Sequence, residues 1–157
     1  MSTVKKIAET PQQNDEKWMR QALAEAEKAL GRGEVPIGAV VVCGGMVIGR
    51  GHNLVESLSD ATAHAEMQAI TAASGTLGGK YLNECTLYVT IEPCVMCAGA
   101  CNWSHVERIV YGASDPKRGF TLFGGNMLLH PRTQVTAGVL ADECGEAVSR
   151  FFKKLRG

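Results

Sequence analysis

Apolar residues near the start of the chain recur with a helical period: Met19, Ala22, Leu23, Ala26 and Leu30 fall at i, i+3, i+4, i+7 and i+11. Asp15 offers an N-cap before them and Gly31 a stop after them. The pattern predicts an amphipathic helix with Glu25, Glu27 and Lys28 on its wet face. The period then changes. Residues 37–43 and 46–52 are apolar, β-branched runs separated by Gly44-Gly45, which predicts a hairpin with a two-residue turn. Further apolar strands are expected at 86–91 and 106–111. Residues 63–74 and 94–103 read as helices with no polar face, and burial on all sides is expected for both. An amphipathic helix over 142–155 closes the chain. Alternation of strands with helices predicts an α/β layer fold. Residues 1–14 lack a period and predict a flexible extension ahead of a single domain over 15–157. Residues 112–134, rich in Gly, Pro and Asn, form one long irregular connection, a length at which function is common, and are expected to wall a substrate site.

Composition narrows the class. A chain of 157 residues that is 45% hydrophobic and 20% charged has enough apolar material for one domain with a sizeable core. Its longest uncharged run, residues 35–49, is 15 residues long and carries Pro36 and four glycines, too short and too broken for a membrane span of about 20 residues. The N-terminus has two lysines and no apolar stretch of signal-peptide type, so a soluble, cytoplasmic protein is expected. Sixteen basic residues balance sixteen acidic ones, so any nucleic-acid site must be a local patch. Three of the six cysteines lie within eight residues, a clustering that points to a metal rather than to a disulfide framework.

His64-Ala65-Glu66 opens the second helix, and Pro93-Cys94-Val95-Met96-Cys97 opens the third directly after a strand. One helical turn separates Cys94 from Cys97, so both sulfurs face one side near the helix N-terminus, where the macrodipole favours thiolate. One imidazole and two thiolates make three ligands for a tetrahedral Zn2+ and leave a fourth position to water, which marks a catalytic site. Glu66, two residues from the histidine, has the reach to take a proton from that water and pass it to a leaving nitrogen, which is hydrolytic deamination. Cys43, Cys85 and Cys101 are expected to be small buried hydrophobes, and His52, His105 and His130 to be structural, because none belongs to a second motif.

His-x-Glu together with Pro-Cys-x-x-Cys is the recognised signature of the zinc nucleobase deaminases. Residues 33–40 (GEVPIGAV), 62–66 (TAHAE), 87–100 (LYVTIEPCVMCAGA) and 151–156 (FFKKLR) extend the match, and almost the whole chain resembles the bacterial tRNA-specific adenosine deaminases of the cytidine deaminase superfamily. The resemblance implies a three-layer α/β/α sandwich with a central mixed sheet, a homodimer, one Zn2+ per chain, and conversion of the wobble adenosine of a tRNA anticodon stem-loop to inosine. It also implies that His64, Cys94 and Cys97 hold the zinc and that Glu66 shuttles protons. Asn53 would hydrogen-bond the flipped base, and the backbone of Ala65 and Glu92 would read its edge. Lys153, Lys154 and Arg156 would grip phosphates beside Phe152, on which an unstacked base could lie.

Three departures from the family pattern stand out. Asp60-Ala61 replaces Asp-Pro, the stretch after Asp115-Pro116-Lys117 is shorter and more aromatic, and the pI is neutral at about 6.9. Two other readings therefore stay open. One is an aminohydrolase of free nucleobases or nucleosides, guanine or cytosine deaminase-like. The other is an inactive zinc-containing binding scaffold.

Overall fold

The structure, a computed structural model, describes residues 8–157. The extension expected over residues 1–14 lies outside the described residues for residues 1–7, and its last four residues are helical. The first helix, α1 (Pro11–Gly31), starts earlier than Asp15 because Thr10 and Gln13 form a capping box with Pro11 in the first turn. Then follow β1 (Gly38–Cys43), β2 (Met46–His52), a single turn α2 (Val55–Leu58), α3 (Ala65–Leu77), β3 (Cys85–Ile91), α4 (Val95–Trp103), β4 (Arg108–Ala113), β5 (Gln134–Thr136) and α5 (Ala141–Arg156).

The strands form one five-stranded mixed sheet in the order β2-β1-β3-β4-β5. β1 runs antiparallel to both its neighbours, whereas β3, β4 and β5 are parallel. Consequently β2, β3 and β4 all end at the same edge, where Asn53, Pro93-Cys94 and Asp115 follow them. Gly44 and Gly45 close the β1–β2 turn with positive φ at both positions, as the hairpin signature requires. β5 escaped the sequence reading, since three residues are too few to show a period.

Helices cover both faces and complete the three-layer α/β/α sandwich. On one face Met19, Ala22 and Cys144, from α1 and α5, pack on Val40, Tyr88 and Val110. On the other, Ala65, Ala69 and Ala98, from α3 and α4, pack on Val41, Leu87 and Ile109. Two expectations need correction. Glu25 is buried, because α1 sits low on the sheet and Lys28, Arg50 and His52 surround its carboxylate at 2.6, 3.8 and 3.6 Å. Neither α3 nor α4 is buried all round: Thr71 and Ala72 of α3 are exposed, as are Val95 and Trp103 of α4.

Asp15 does not cap a helix. Its buried carboxylate receives both terminal nitrogens of Arg108 at 2.7 Å and the Tyr88 hydroxyl at 2.9 Å, and Arg108 also reaches Thr136 at 2.9 Å. This network ties α1 to β3, β4 and β5. Burial alone would raise the Asp15 carboxyl, but the hydrogen bonds from Arg108 and Tyr88 outweigh it and hold the group below its ordinary value.

Asp15→Asn should therefore lower the unfolding free energy by about 2 to 4 kcal/mol at neutral pH, because it strands a partly buried guanidinium. A carboxyl depressed in the folded state stabilises above its unfolded pKa of about 4 and loses that contribution as pH falls through the folded value. Urea unfolding of parent and variant should show a constant gap near neutrality that closes below about pH 4.

Candidate active site at the carboxyl edge of the sheet

The site lies where β2, β3 and β4 end, and two helix N-termini meet there. α3 lies against β2 at Gly51, where a Cβ would collide with the Ala65 carbonyl oxygen and the Ala69 amide nitrogen. That seat carries His64, the N-cap of α3, inward. β3 delivers Glu92-Pro93 and then Cys94, the N-cap of α4. The prolyl residue thus precedes the cap and does not occupy the first helical turn.

Cys94 Sγ and Cys97 Sγ both lie 3.6 Å from His64 Nδ1. The three candidate ligand atoms are all within 4.8 Å of one another. Tetrahedral zinc with bonds of about 2.3 Å to sulfur and about 2.0 to 2.1 Å to nitrogen separates nitrogen from sulfur by about 3.5 to 3.6 Å, so the donor set fits the ion in chemistry and in both nitrogen–sulfur spacings. Cys94 is the readier thiolate. Hydrogen bonds with Cys97 and His64 lower it to about 4, whereas Cys97, the proton donor of the pair and fully buried, is raised. His64 is raised by its contact with the Cys94 sulfur.

Glu66 is buried in the first turn of α3. Loss of solvent pushes its carboxyl up to about 7, against the smaller opposing effects of its own amide and of His64. A divalent cation among the three ligands would draw it back toward the ordinary carboxylate range.

His64 makes no side-chain cap, so the first amides of α3, beginning with Ala65, are left without an intrahelical partner and can serve a ligand. His64, Ala65, Glu66 and Cys94 share a cavity of about 300 Å³ with Asn53 and Glu92, at the lower end of the range for small-ligand sites. Val35, Ile37, Val55 and Ile91 supply an apolar wall, and Asp115, Arg118 and Phe152 form the remainder. Asn53 is buried, with its side chain between the Val55 amide at 3.3 Å and the Val35 carbonyl at 3.5 Å. The Glu92 amide donates to Ala113 O at 2.8 Å and is not free for a substrate.

Several functional positions were not visible in the sequence pattern. The Glu92 side chain anchors the loop after β4: one carboxylate oxygen accepts from the Asp115 amide at 3.1 Å, the other from the Thr121 amide and hydroxyl at 3.0 and 2.8 Å. Gly119 is required beside it, since a Cβ there would fall on the Glu92 carboxylate. Glu34, fully buried, accepts from the amides of Glu56 and Ser57 and from the Ser57 hydroxyl, and so holds the turn after Asn53. Arg118 was legible only as a departure from the family pattern.

Of the long connection expected to wall the site, only Asp115 and Arg118 reach the cavity; Phe120 is buried in the core against Tyr111, and Phe123 points outward. The terminal helix also divides. Phe152 lines the cavity, whereas Lys154 lines a different and larger groove, about 570 Å³, between α1 and α5. Lys153 and Arg156 are exposed and line neither. The groove contains Glu27, Glu143 and Glu146 and no metal-ligating set, so the smaller cavity is the chemical one.

Residues 12–113 match the family described as the cytidine and deoxycytidylate deaminase zinc-binding region. A tRNA-specific adenosine deaminase of Bacillus subtilis is 49% identical over 146 residues, covering 90% of this chain and 91% of its own. A structure from a study of A-to-I editing by tRNA A34 deaminases at the wobble position superposes with a TM-score of 0.77 at 42% identity, covering 83% of this chain and 98% of its own. A guanine deaminase of Bacillus subtilis gives a TM-score of 0.60 at 39% identity, covering 63% of this chain and 64% of its own. With a His/Cys/Cys triangle of zinc dimensions at the edge of its mixed sheet, the chain belongs to the cytidine and deoxycytidylate deaminase family of zinc-dependent aminohydrolases.

Proposed function

We propose that this enzyme hydrolyses the wobble adenosine of a tRNA anticodon stem-loop to inosine, consuming water and releasing ammonia. The observation that carries the reading is the triangle of His64, Cys94 and Cys97 beside a buried Glu66, in a chain 49% identical over most of its length to a tRNA-specific adenosine deaminase. His64, Cys94 and Cys97 hold one Zn2+. The chemistry that a bound zinc supplies there is Lewis-acid activation of water near neutral pH.

Glu66 takes one proton of the attacking water on its carboxylate and passes it to the ring nitrogen beside the reacting carbon. It then takes the remaining hydroxyl proton and delivers it to the leaving amino nitrogen, so that the carbonyl forms as ammonia departs. Its seclusion from solvent keeps that proton from exchanging with bulk water. Asn53 hydrogen-bonds the flipped base, and the free Ala65 amide and the Glu92 carbonyl read its edge. Phe152 offers a stacking surface at the mouth. Lys153, Lys154 and Arg156 contribute a diffuse positive field along the RNA backbone rather than lining the cavity.

Guanine deamination is the second reading, supported by the likeness to guanine deaminases, but a guanine deaminase of Nitrosomonas europaea that covers 93% of this chain does so at 25% identity, against 49% over 90% for the tRNA enzyme. An inert zinc scaffold would have no use for a buried, desolvated Glu66.

The same reading includes a homodimer. Trp103 is 84% exposed and Met127 is 91% exposed, and Val95, Leu122 and Phe123 add to the apolar surface of α4 and the loop packed on it. A second copy related by a two-fold axis is the simplest cover for such a patch. No helix among the described residues is long and apolar enough to cross a membrane, and a tRNA substrate would place the enzyme in the cytoplasm.

Three outcomes are expected. Elemental analysis of active protein should find about one zinc per chain, and Cys94→Ser should lose most of it. Glu66→Gln should keep zinc and fold while ammonia release falls by at least about 100-fold; retention of the parental rate would refute the assigned proton path. Trp103→Glu combined with Met127→Glu should sediment as a monomer at micromolar concentration, where the parent sediments as a dimer.

A further inference from the structure

We infer that Arg118 binds the phosphodiester next to the deaminated nucleotide and thereby makes the site prefer a base embedded in RNA over a free base. The inference rests on the RNA reading above and adds a residue that selects the substrate class.

Arg118 is exposed, and it lines the same cavity as His64 and Glu66. Its guanidinium has no salt bridge or side-chain hydrogen bond among the described residues, unlike Arg108 and Arg150, which are paired. Asp115, the nearest acid along the loop, has its Oδ1 turned back onto the amides of Lys117 and Arg118, both at 3.0 Å.

The loop that presents Arg118 is already ordered. Glu92 fixes it on both sides of Arg118, at Asp115 and Thr121. The Phe120 amide donates to Pro93 O at 2.9 Å, and Phe120 is buried in the core. Gly119 pairs with Cys94 as an isolated β-bridge, so the arginine is tied to the start of α4 itself. Holding the backbone in place before binding removes part of the ordering cost of a contact.

The shape of the cavity says which part of a substrate Arg118 meets. Its interior, with Val35, Ile37, Ile91 and Asn53, carries no lysine or arginine side chain and suits a neutral base. A nucleotide inserted base-first leaves its sugar and phosphates at the rim, which is where an unpaired guanidinium is suited to bidentate contact with phosphate oxygens. A free base has nothing to offer it. Because the chain as a whole is neutral, such a local cation carries more of the attraction than the molecular field does.

The test uses the zinc-loaded full chain and two synthetic anticodon hairpins with adenosine at the wobble position. One has ordinary phosphodiesters; the other has uncharged methylphosphonates at the two linkages flanking that adenosine. Inosine formation is followed for the parent, Arg118→Gln, Arg118→Lys and, as a charge control on the far side of the molecule, Lys80→Gln. On the ordinary hairpin Arg118→Gln should lose about tenfold or more in kcat/KM, the scale of one charge-assisted hydrogen bond. Its log-log salt slope should be shallower by about 0.7. Arg118→Lys should recover part of both, and Lys80→Gln should match the parent. On the methylphosphonate hairpin parent and Arg118→Gln should be equal, since the partner has been removed. Parental kcat/KM and slope in Arg118→Gln overturn the inference, as does an equal loss on both hairpins, while the RNA reading survives either result. A parent that leaves the ordinary hairpin unedited overturns the RNA reading, and this inference with it.

Discussion

No side chain can be tolerated on the inner face of β2 at Gly49 or Gly51, because each position lies against the backbone of α3. The close seat has a chemical consequence. α3 begins at the carboxyl edge of the sheet, and with its axis pressed onto β2 its N-cap His64 comes within 3.6 Å of both sulfurs at the start of α4. A bulkier β2 would push α3 outward and open the ligand triangle. Two helix N-termini converging on one point are also a favourable setting for thiolates and for an electron-rich ligand, since both macrodipoles present their positive ends there.

Buried carboxylates divide according to what surrounds them. Glu34 and Glu92 each accept three hydrogen bonds, two from backbone amides and one from a hydroxyl, and each pins a segment next to the cavity. For Glu34 the desolvation that would raise its carboxyl is outweighed by those bonds, and the group is held below its ordinary value. Asp15 is treated the same way by Arg108 and Tyr88. Glu66 receives no such cradle of loop donors, and burial dominates. Carboxyl groups are thus held as structural anions at Glu34 and Asp15 and left free to exchange a proton at Glu66, which is how neighbouring carboxyls acquire different work.

The loop after β4 shows how a surface connection becomes part of the site. Phe120 sinks into the core, Gly119 lets the backbone pass beside Glu92, and Arg118 is left facing outward at the cavity. The aromatic character of this segment therefore serves anchoring. Its outer residues, Leu122 and Phe123, are exposed, so one loop contributes both to the cavity and to the apolar surface of the molecule.

The local signals of the chain determined a good deal by themselves. Gly44-Gly45 between two apolar runs specified the hairpin, and the final amphipathic run specified α5 almost to its ends. His64, Glu66, Cys94 and Cys97 were legible because a metal site needs particular donor atoms at short spacings, and short spacings survive in one dimension. What the sequence left open was set by contacts between distant residues. Glu25 and Asp15 looked like surface and cap residues and proved to be buried, because their partners Arg50, His52, Tyr88 and Arg108 lie far along the chain. β5 became a strand only because β4 was there to pair with it. Likewise Arg118 joined the site, and Lys154 did not, through the paths of a loop and a helix across the sheet edge. Spacing encodes which groups share a turn, but which turns share a cavity depends on packing that no short window of sequence contains.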